Sequence, residues 1–309
     1  MEGFKIIFDR RLLTLIILVL AIILIPLPQF VSLYLLIHII DTILIILFAV
    51  SFNLVYGYMG ELPLGHACFF GLGAYTMFLL VRYTEINFAL VLLISLCVVA
   101  AYAAFVASLI VRLSGIYFAL CSLAFGEFIA ILFWSLREAG GDVGMHLSII
   151  TIHDMVMFYY ITLAVVAVSL VIIYKIVNSP FGLTIQSIRD NEVRSRSVGV
   201  NVLRYKKINF IISALFTGVA GILYSILFSI VHPRFCSWAM LLNPLVGTLL
   251  GGAGSFIGPI IGTALYYQVY WIISENTIYW QYFTGGLIMV LVLFFPQGIM
   301  GYLERKLKR

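Results

Sequence analysis

Apolar runs of roughly 20 residues, broken by short polar stretches, recur along the whole chain, and in hydrocarbon a run of that length reads as a membrane-spanning helix. The pattern predicts spans at 12–28, 33–56, 64–81, 88–111, 116–135, 156–176, 208–231 and 280–296. The region 238–273 is too long for one helix and is broken by Gly251-Gly252-Ala253-Gly254, so it predicts two short ones. Two polar stretches stand out, at 136–154 and at 178–207. The expected fold class is an all-α polytopic transmembrane bundle of roughly eight to ten spans, with broken or short glycine-rich helices, as a single domain over 1–309.

Within 178–207, Asn178-Ser179-Pro180 reads as a helix start, with a capping side chain ahead of proline at the first helical position. A helix over 181–197 follows, with Gly199 as its stop. Phe181, Ile185 and Ile188 fall at i, i+4 and i+7, on one face. Arg189, Asp190, Glu192, Arg194 and Arg196 crowd its later half. Such a helix lies on a membrane surface or fills a partner's groove. The short apolar face and mixed charge favour the groove over anionic lipid.

Composition agrees with the pattern. The 309 residues are 63% hydrophobic and 10% charged, against about 25% charged in soluble domains. The net charge of +5 reflects membrane topology and not nucleic-acid binding, because the basic residues cluster at the hydrophilic breaks. Lys5, Arg10 and Arg11 form one cluster; Lys175, Arg189, Arg194, Arg196, Arg204, Lys206 and Lys207 a second; Arg305, Lys306, Lys308 and Arg309 a third. With about six crossings between the first two and about four more to the last, all three fall on the inner side. Both termini and 178–207 are therefore expected in the cytoplasm, and 136–154 outside. The run from Leu12 to Leu27 lacks a small-residue cleavage pattern and reads as a retained first helix.

Glycines are dense at 57–73 and 247–262, and Ala214, Gly218 and Gly221 add a third patch. They serve either close helix packing or interrupted helices around a substrate path, the second favoured by Pro63 and Pro259 at the breaks. His38 and Asp41 share a helix face and are expected to pair with each other. Glu127 is expected to bond between helices or to line a pathway. Glu61 and His66 are expected at the membrane edge. Cys68, Cys97, Cys121 and Cys236 form no C-x-x-C pair and read as small core residues. The sequence contains no Ser/His/Asp order, His-rich metal spacing or phosphate-cradling glycine loop, so an enzyme that hydrolyses ATP is not expected in this chain.

The stretch NLVYGYMGELPLGHACFFGLGAY at 53–75 closely resembles N-L-x-x-G-x-x-G-x-x-S-L-G-H-A-A-F-F-G-x-G-A-Y, a pattern of membrane permeases of branched-chain amino acid ABC importers, the LivM type. Arg112 to Leu120 with Leu123 to Glu127 resembles the family's next block, and Gly140 to Gly144 its glycine-rich outer loop. Ser179 to Gly182, Ile188 to Glu192 and Gly199 to Lys206 resemble its cytoplasmic loop, and Phe295 to Ile299 its C-terminal signature. Pro63 stands where the family has a small polar residue, Cys68 where it has alanine, and the outer loop is short.

The resemblance implies the ABC importer permease fold in the cell's inner membrane and a heterodimer with a homologous LivH-like permease. It also implies two ABC ATPase subunits that hold ATP and Mg, and an extracytoplasmic substrate-binding protein. No cofactor is expected on this chain, and membrane lipid is its surrounding partner. The implied substrates are leucine, isoleucine and valine, sometimes other amino acids or urea. Phe181, Ile185, Ile188, Arg189, Asp190 and Glu192 are the expected ATPase-coupling residues, the three apolar ones filling the ATPase groove and the charged ones pairing at its rim. Gly65, His66, Phe69, Gly71, Glu127, Gly251 and Gly254 are the expected lining of the translocation path.

Overall fold

Backbone groups in hydrocarbon must satisfy one another, so the apolar runs fold as helices. A computed structural model describes residues 26–146, 154–277, 279–294 and 298–300. The expected first span, the N-terminal and C-terminal basic clusters and part of the 136–154 stretch lie largely or wholly outside the described residues, as do positions 295–297 of the C-terminal signature.

The first described long helix, α1 (Leu33–Asn53), starts at Ser32, whose hydroxyl accepts from Leu35 N. It continues into a π-helical turn, Leu54–Met59, which ends at Gly60 in the left-handed conformation with φ 80°. The chain then runs without regular structure to α2 (Ala67–Tyr83), a helix shorter than its neighbours. Next come α3 (Phe88–Ile110), α4 (Ile116–Ser135) and, past a two-residue strand β1 (Met145–His146), α5 (Met155–Val177). Two short helices, α6 (Pro180–Asp190) and α7 (Glu192–Ser197), precede α8 (Val202–Phe228). Strand β2 (Ile230–Val231), α9 (Trp238–Gly251), α10 (Ile257–Asn276) and α11 (Trp280–Phe294) complete the described chain.

Among the described residues, five helical stretches are long and apolar enough to cross a membrane: α1 with its π turn, α3, α4, α5 and α8. α2 and α9 are shorter apolar helices. The break at 252–256 divides the 238–273 stretch into two helices, as expected. Helix α8 begins at Val202, ahead of the expected 208, because Asn201 Oδ1 accepts from Arg204 N and caps a polar first turn. It stops at Phe228 because Ile230 and Val231 leave to pair antiparallel with His146 and Met145.

Helices α1 and α8 form the centre. Of their most apolar stretches 61% and 67% are buried, against 28% for α3, which sits at the periphery. Phe48, Phe52, Phe69, Phe70 and Phe210 are fully buried there. Lipid gives no hydrophobic drive between helices, so close backbone approach supplies the contact. A Cβ at Gly221 of α8 would lie 1.9 Å from Phe70 O of α2, and one at Gly73 would lie 2.7 Å from Gly218 O. The outer faces of α3 and α4 carry Leu93, Phe105, Tyr117, Phe128 and Ile131 uncovered.

Candidate functional site

The 178–207 segment is folded throughout. Ser179 Oγ accepts from Gly182 N at 3.3 Å, and Pro180 occupies the first turn of α6. The helix expected over 181–197 is two helices. Asn191 breaks it with an extended backbone (φ −160°, ψ 100°), and its Oδ1 accepts from Arg194 N at 2.8 Å to start α7. An asparagine that caps a new helix competes with continuing the old one. Gly199, at φ 86°, follows the end of α7, as expected of a stop.

The apolar stripe of α6 faces the protein's own core. Ile185 and Ile188 are 1% and 2% exposed. Phe181 is half-buried and stacks on Tyr205 at 5.4 Å. These side chains hold α6 to the bundle, so Ile185 and Ile188 offer no free face to an ATPase groove. The most exposed apolar side chains of the segment are Leu183, Val193 and Val198, at 57%, 76% and 75% exposed. Val198 also lines a groove of about 580 Å³ with Phe181, Asn201, Arg204, Tyr205 and Ile208.

Some of the charged side chains also reach inward. Arg189 Nη1 donates to Gly57 O at 2.7 Å, and the guanidinium also meets the exposed Asp190 at 3.2 Å. Lys206 Nζ donates to Glu192 Oε2 and to Glu61 Oε1, each at 3.0 Å. Glu61 Oε2 accepts from Gly115 N at 2.9 Å, and Arg196 closes the other side of Glu192. Burial pushes the Glu192 carboxyl up, but the bonds and charges of Lys206 and Arg196 outweigh it and hold the group below the usual glutamate range. Lys206 and Glu61 are both buried within the protein, so the Glu61 charge is met by Lys206 and not by water. His66 is fully buried, with its Nε2 2.9 Å from Ser213 Oγ.

Lys206 and Glu61 are functional candidates that the sequence reading missed. The signal was there for Lys206: with Asn209, Phe210, Ser213, Ala214 and Thr217 it lies on the buried stripe of α8. Nothing local marks Glu61, whose partner is 145 positions away.

The expected path residues each pack against other elements of this chain. Gly65 packs on α4, where a Cβ would lie 1.8 Å from Ser122 O, and His66 and Phe69 sit in the aromatic core with Phe210. Gly71 packs on Cys236, and Glu127 Oε1 accepts from Trp238 N at the start of α9. Gly251 packs on Gly258 O, and Gly254 lies beside Gly57 and Arg189 at the α9–α10 turn. Close packing accounts for Gly65, Gly71 and Gly251. Glu127 bonds between helices. His38 and Asp41 do not pair with each other: His38 Nε2 is 3.0 Å from Gln268 Oε1, and Tyr267 Oη donates to Asp41 Oδ2 at 2.8 Å. The shared face was read correctly, but it looks across to α10.

A family profile described as branched-chain amino acid transport system / permease component matches residues 34–293, from the start of α1 almost to the end of α11. The high-affinity branched-chain amino acid transport system permease protein LivM of Salmonella typhimurium is 29% identical over 297 residues, covering 86% of this chain and 70% of that protein. The protein of the same description from Escherichia coli is 28% identical with the same coverage. The probable branched-chain amino acid transport permease protein LivM of Methanocaldococcus jannaschii is 23% identical over 158 residues, 46% of each chain. With five membrane-length helices and a match across nearly all of the described fold, the chain belongs to the family of permease components of branched-chain amino acid ABC transport systems, multi-pass membrane proteins that are not themselves catalytic.

Proposed function

We propose that this permease forms one half of the path of an importer for leucine, isoleucine and valine, with a homologous LivH-like permease as the other half. Two separate ATPase subunits hold ATP and Mg and drive alternating access, and a binding protein outside the membrane delivers the substrate. Residues 178–207 and both termini face the cytoplasm, and 178–207 carries the ATPase contact.

The observation that carries this reading is the shape of the 178–207 unit. A free loop would cost conformational entropy to order on binding; α6 and α7 are already capped and seated on the bundle. They leave Leu183, Val193 and Val198 uncovered, Val198 at the groove with Arg204, in a segment that also exposes Arg194 and Arg196. Apolar anchors on a short helix, rimmed by charge, suit a partner's groove. The inward Ile185 and Ile188 set the stiffness of the unit and are not its contact.

The test is Leu183→Asp with Val193→Asp in the complete transporter. Both positions are exposed, so the fold should survive. The ATPase subunits should no longer co-purify in mild detergent, and uptake should fall by at least about tenfold, the effect of burying unpaired charge at a contact. ATPase retention with normal uptake would refute the contact, and substrate movement by this chain alone in liposomes would point to a secondary transporter.

A further inference from the structure

The 178–207 unit is fastened to the rest of the chain by polar ties at the place where α1 gives way to α2. That place is the π-helical turn Leu54–Met59 and the two residues after it. A π turn is uncommon and is frequently found at functional sites. Here two of its carbonyls are taken by side chains from other elements. Gly57 O accepts from Arg189 of α6, and Leu54 O accepts from Asn209 Nδ2 of α8 at 2.7 Å. Asn53, just before the turn, grips the middle of the α9–α10 turn with both atoms of its amide: its Oδ1 accepts from Gly254 N at 3.0 Å and its Nδ2 donates to Ser255 O at 2.8 Å. Just after the turn, Glu61 takes Lys206, which also takes Glu192 of α7.

We propose that the π-helical turn Leu54–Met59 is the hinge that passes movement of the 178–207 unit into the membrane helices, with Arg189 and Lys206 as the positioning residues that grip it. This rests on the reading of 178–207 as the ATPase contact. A π turn holds one residue more than the α turn it replaces, so its relaxation to α-helix turns everything beyond it by about 100°. Coupling needs such a two-state element, biased from both ends. What lies beyond it is the run 60–66 into α2, where Gly65 meets the backbone of α4 at Ser122. Gly60, at φ 80°, supplies a joint there, and a Cβ on it would lie 2.6 Å from Arg189 Cγ. Pulling on Arg189 therefore acts on the Gly57 carbonyl of the π turn, while Lys206 holds Glu61 at the start of the next segment. Packing alone does not require this. Ile185 and Ile188 already seat α6, and the ties go to backbone and carboxylate groups at one turn.

The experiment measures substrate imported per ATP hydrolysed by the complete transporter in proteoliposomes with its binding protein, together with ATPase co-purification. Arg189→Gln should leave the ATPase bound and ATP turning over, and lower substrate per ATP by about tenfold. The pair Lys206→Met with Glu61→Gln removes the tie without stranding a buried charge and should do the same. Arg189→Lys, which can still donate to Gly57 O, should restore part of the ratio. An unchanged ratio in Arg189→Gln, or in the Lys206/Glu61 pair should Arg189→Gln not fold, overturns the hinge. So does loss of the ATPase from Arg189→Gln, because that residue would then belong to the contact. Failure of the contact reading is seen separately, as ATPase retention by the Leu183→Asp, Val193→Asp variant.

Discussion

At the scale of single residues, Lys206 holds the most charge in the least water. It stands between Glu61 and Glu192 with its side chain 5% exposed, and Glu61 is nearly as buried. Removing one partner of a buried ion pair leaves the other uncompensated, so Lys206→Ala should cost ~3–5 kcal/mol, read as a lower Tm in detergent. Adding Glu61→Gln should restore much of it; a Tm unmoved by Lys206→Ala would contradict the geometry. The same residues show what a sequence can and cannot disclose. Periodicity places Lys206, and Ile185 with Ile188, on faces that become buried, but it is silent on what covers them. The pairing of His38 with Asp41 failed for that reason. Position three apart fixes a common face, while the partners Gln268 and Tyr267 come from a helix far along the chain. Glu61 has no local pattern at all, since its burial follows from where α8 and the α3–α4 connection arrive.

At the scale of elements, the 178–207 unit is two helices because Asn191 is both a stop and a cap. Ser179, Pro180 and Gly199 were legible as signals, since capping chemistry is local. The kink was not, because an asparagine in a charged run reads equally well as a solvated helix position. The kink turns Glu192 toward Lys206, and the pH response follows. The folded carboxyl is held below its ordinary range. Its stabilising contribution is therefore complete above the unfolded pKa and is lost as pH falls through the folded one. Hydrogen exchange across 192–206 should stay slow at neutral pH and through mild acid, and rise only below the ordinary glutamate range of about 4.3. Exchange that rises near pH 6 would contradict this.

At the scale of the molecule, small residues bring α2 and α8 into backbone contact, and polar side chains tie the end of α1 and the turn after it to α6 and to the α9–α10 turn. The span order was readable because apolar length and hydrogen-bond closure are enforced at every crossing. The role of the glycines was legible only as two alternatives, because close packing and an interrupted helix use the same residues; Gly65, Gly71 and Gly251 pack against other elements of this chain. The account centres on 178–207 as the cytoplasmic face that meets the ATPase. The most direct measurement is cross-linking in membranes holding the complete transporter, with a photo-reactive residue in place of Val193 or of Val143, the latter 83% exposed beside β1. The account predicts an adduct with the ATPase from position 193 and none from position 143; an ATPase adduct from position 143, or none from 193, would contradict it.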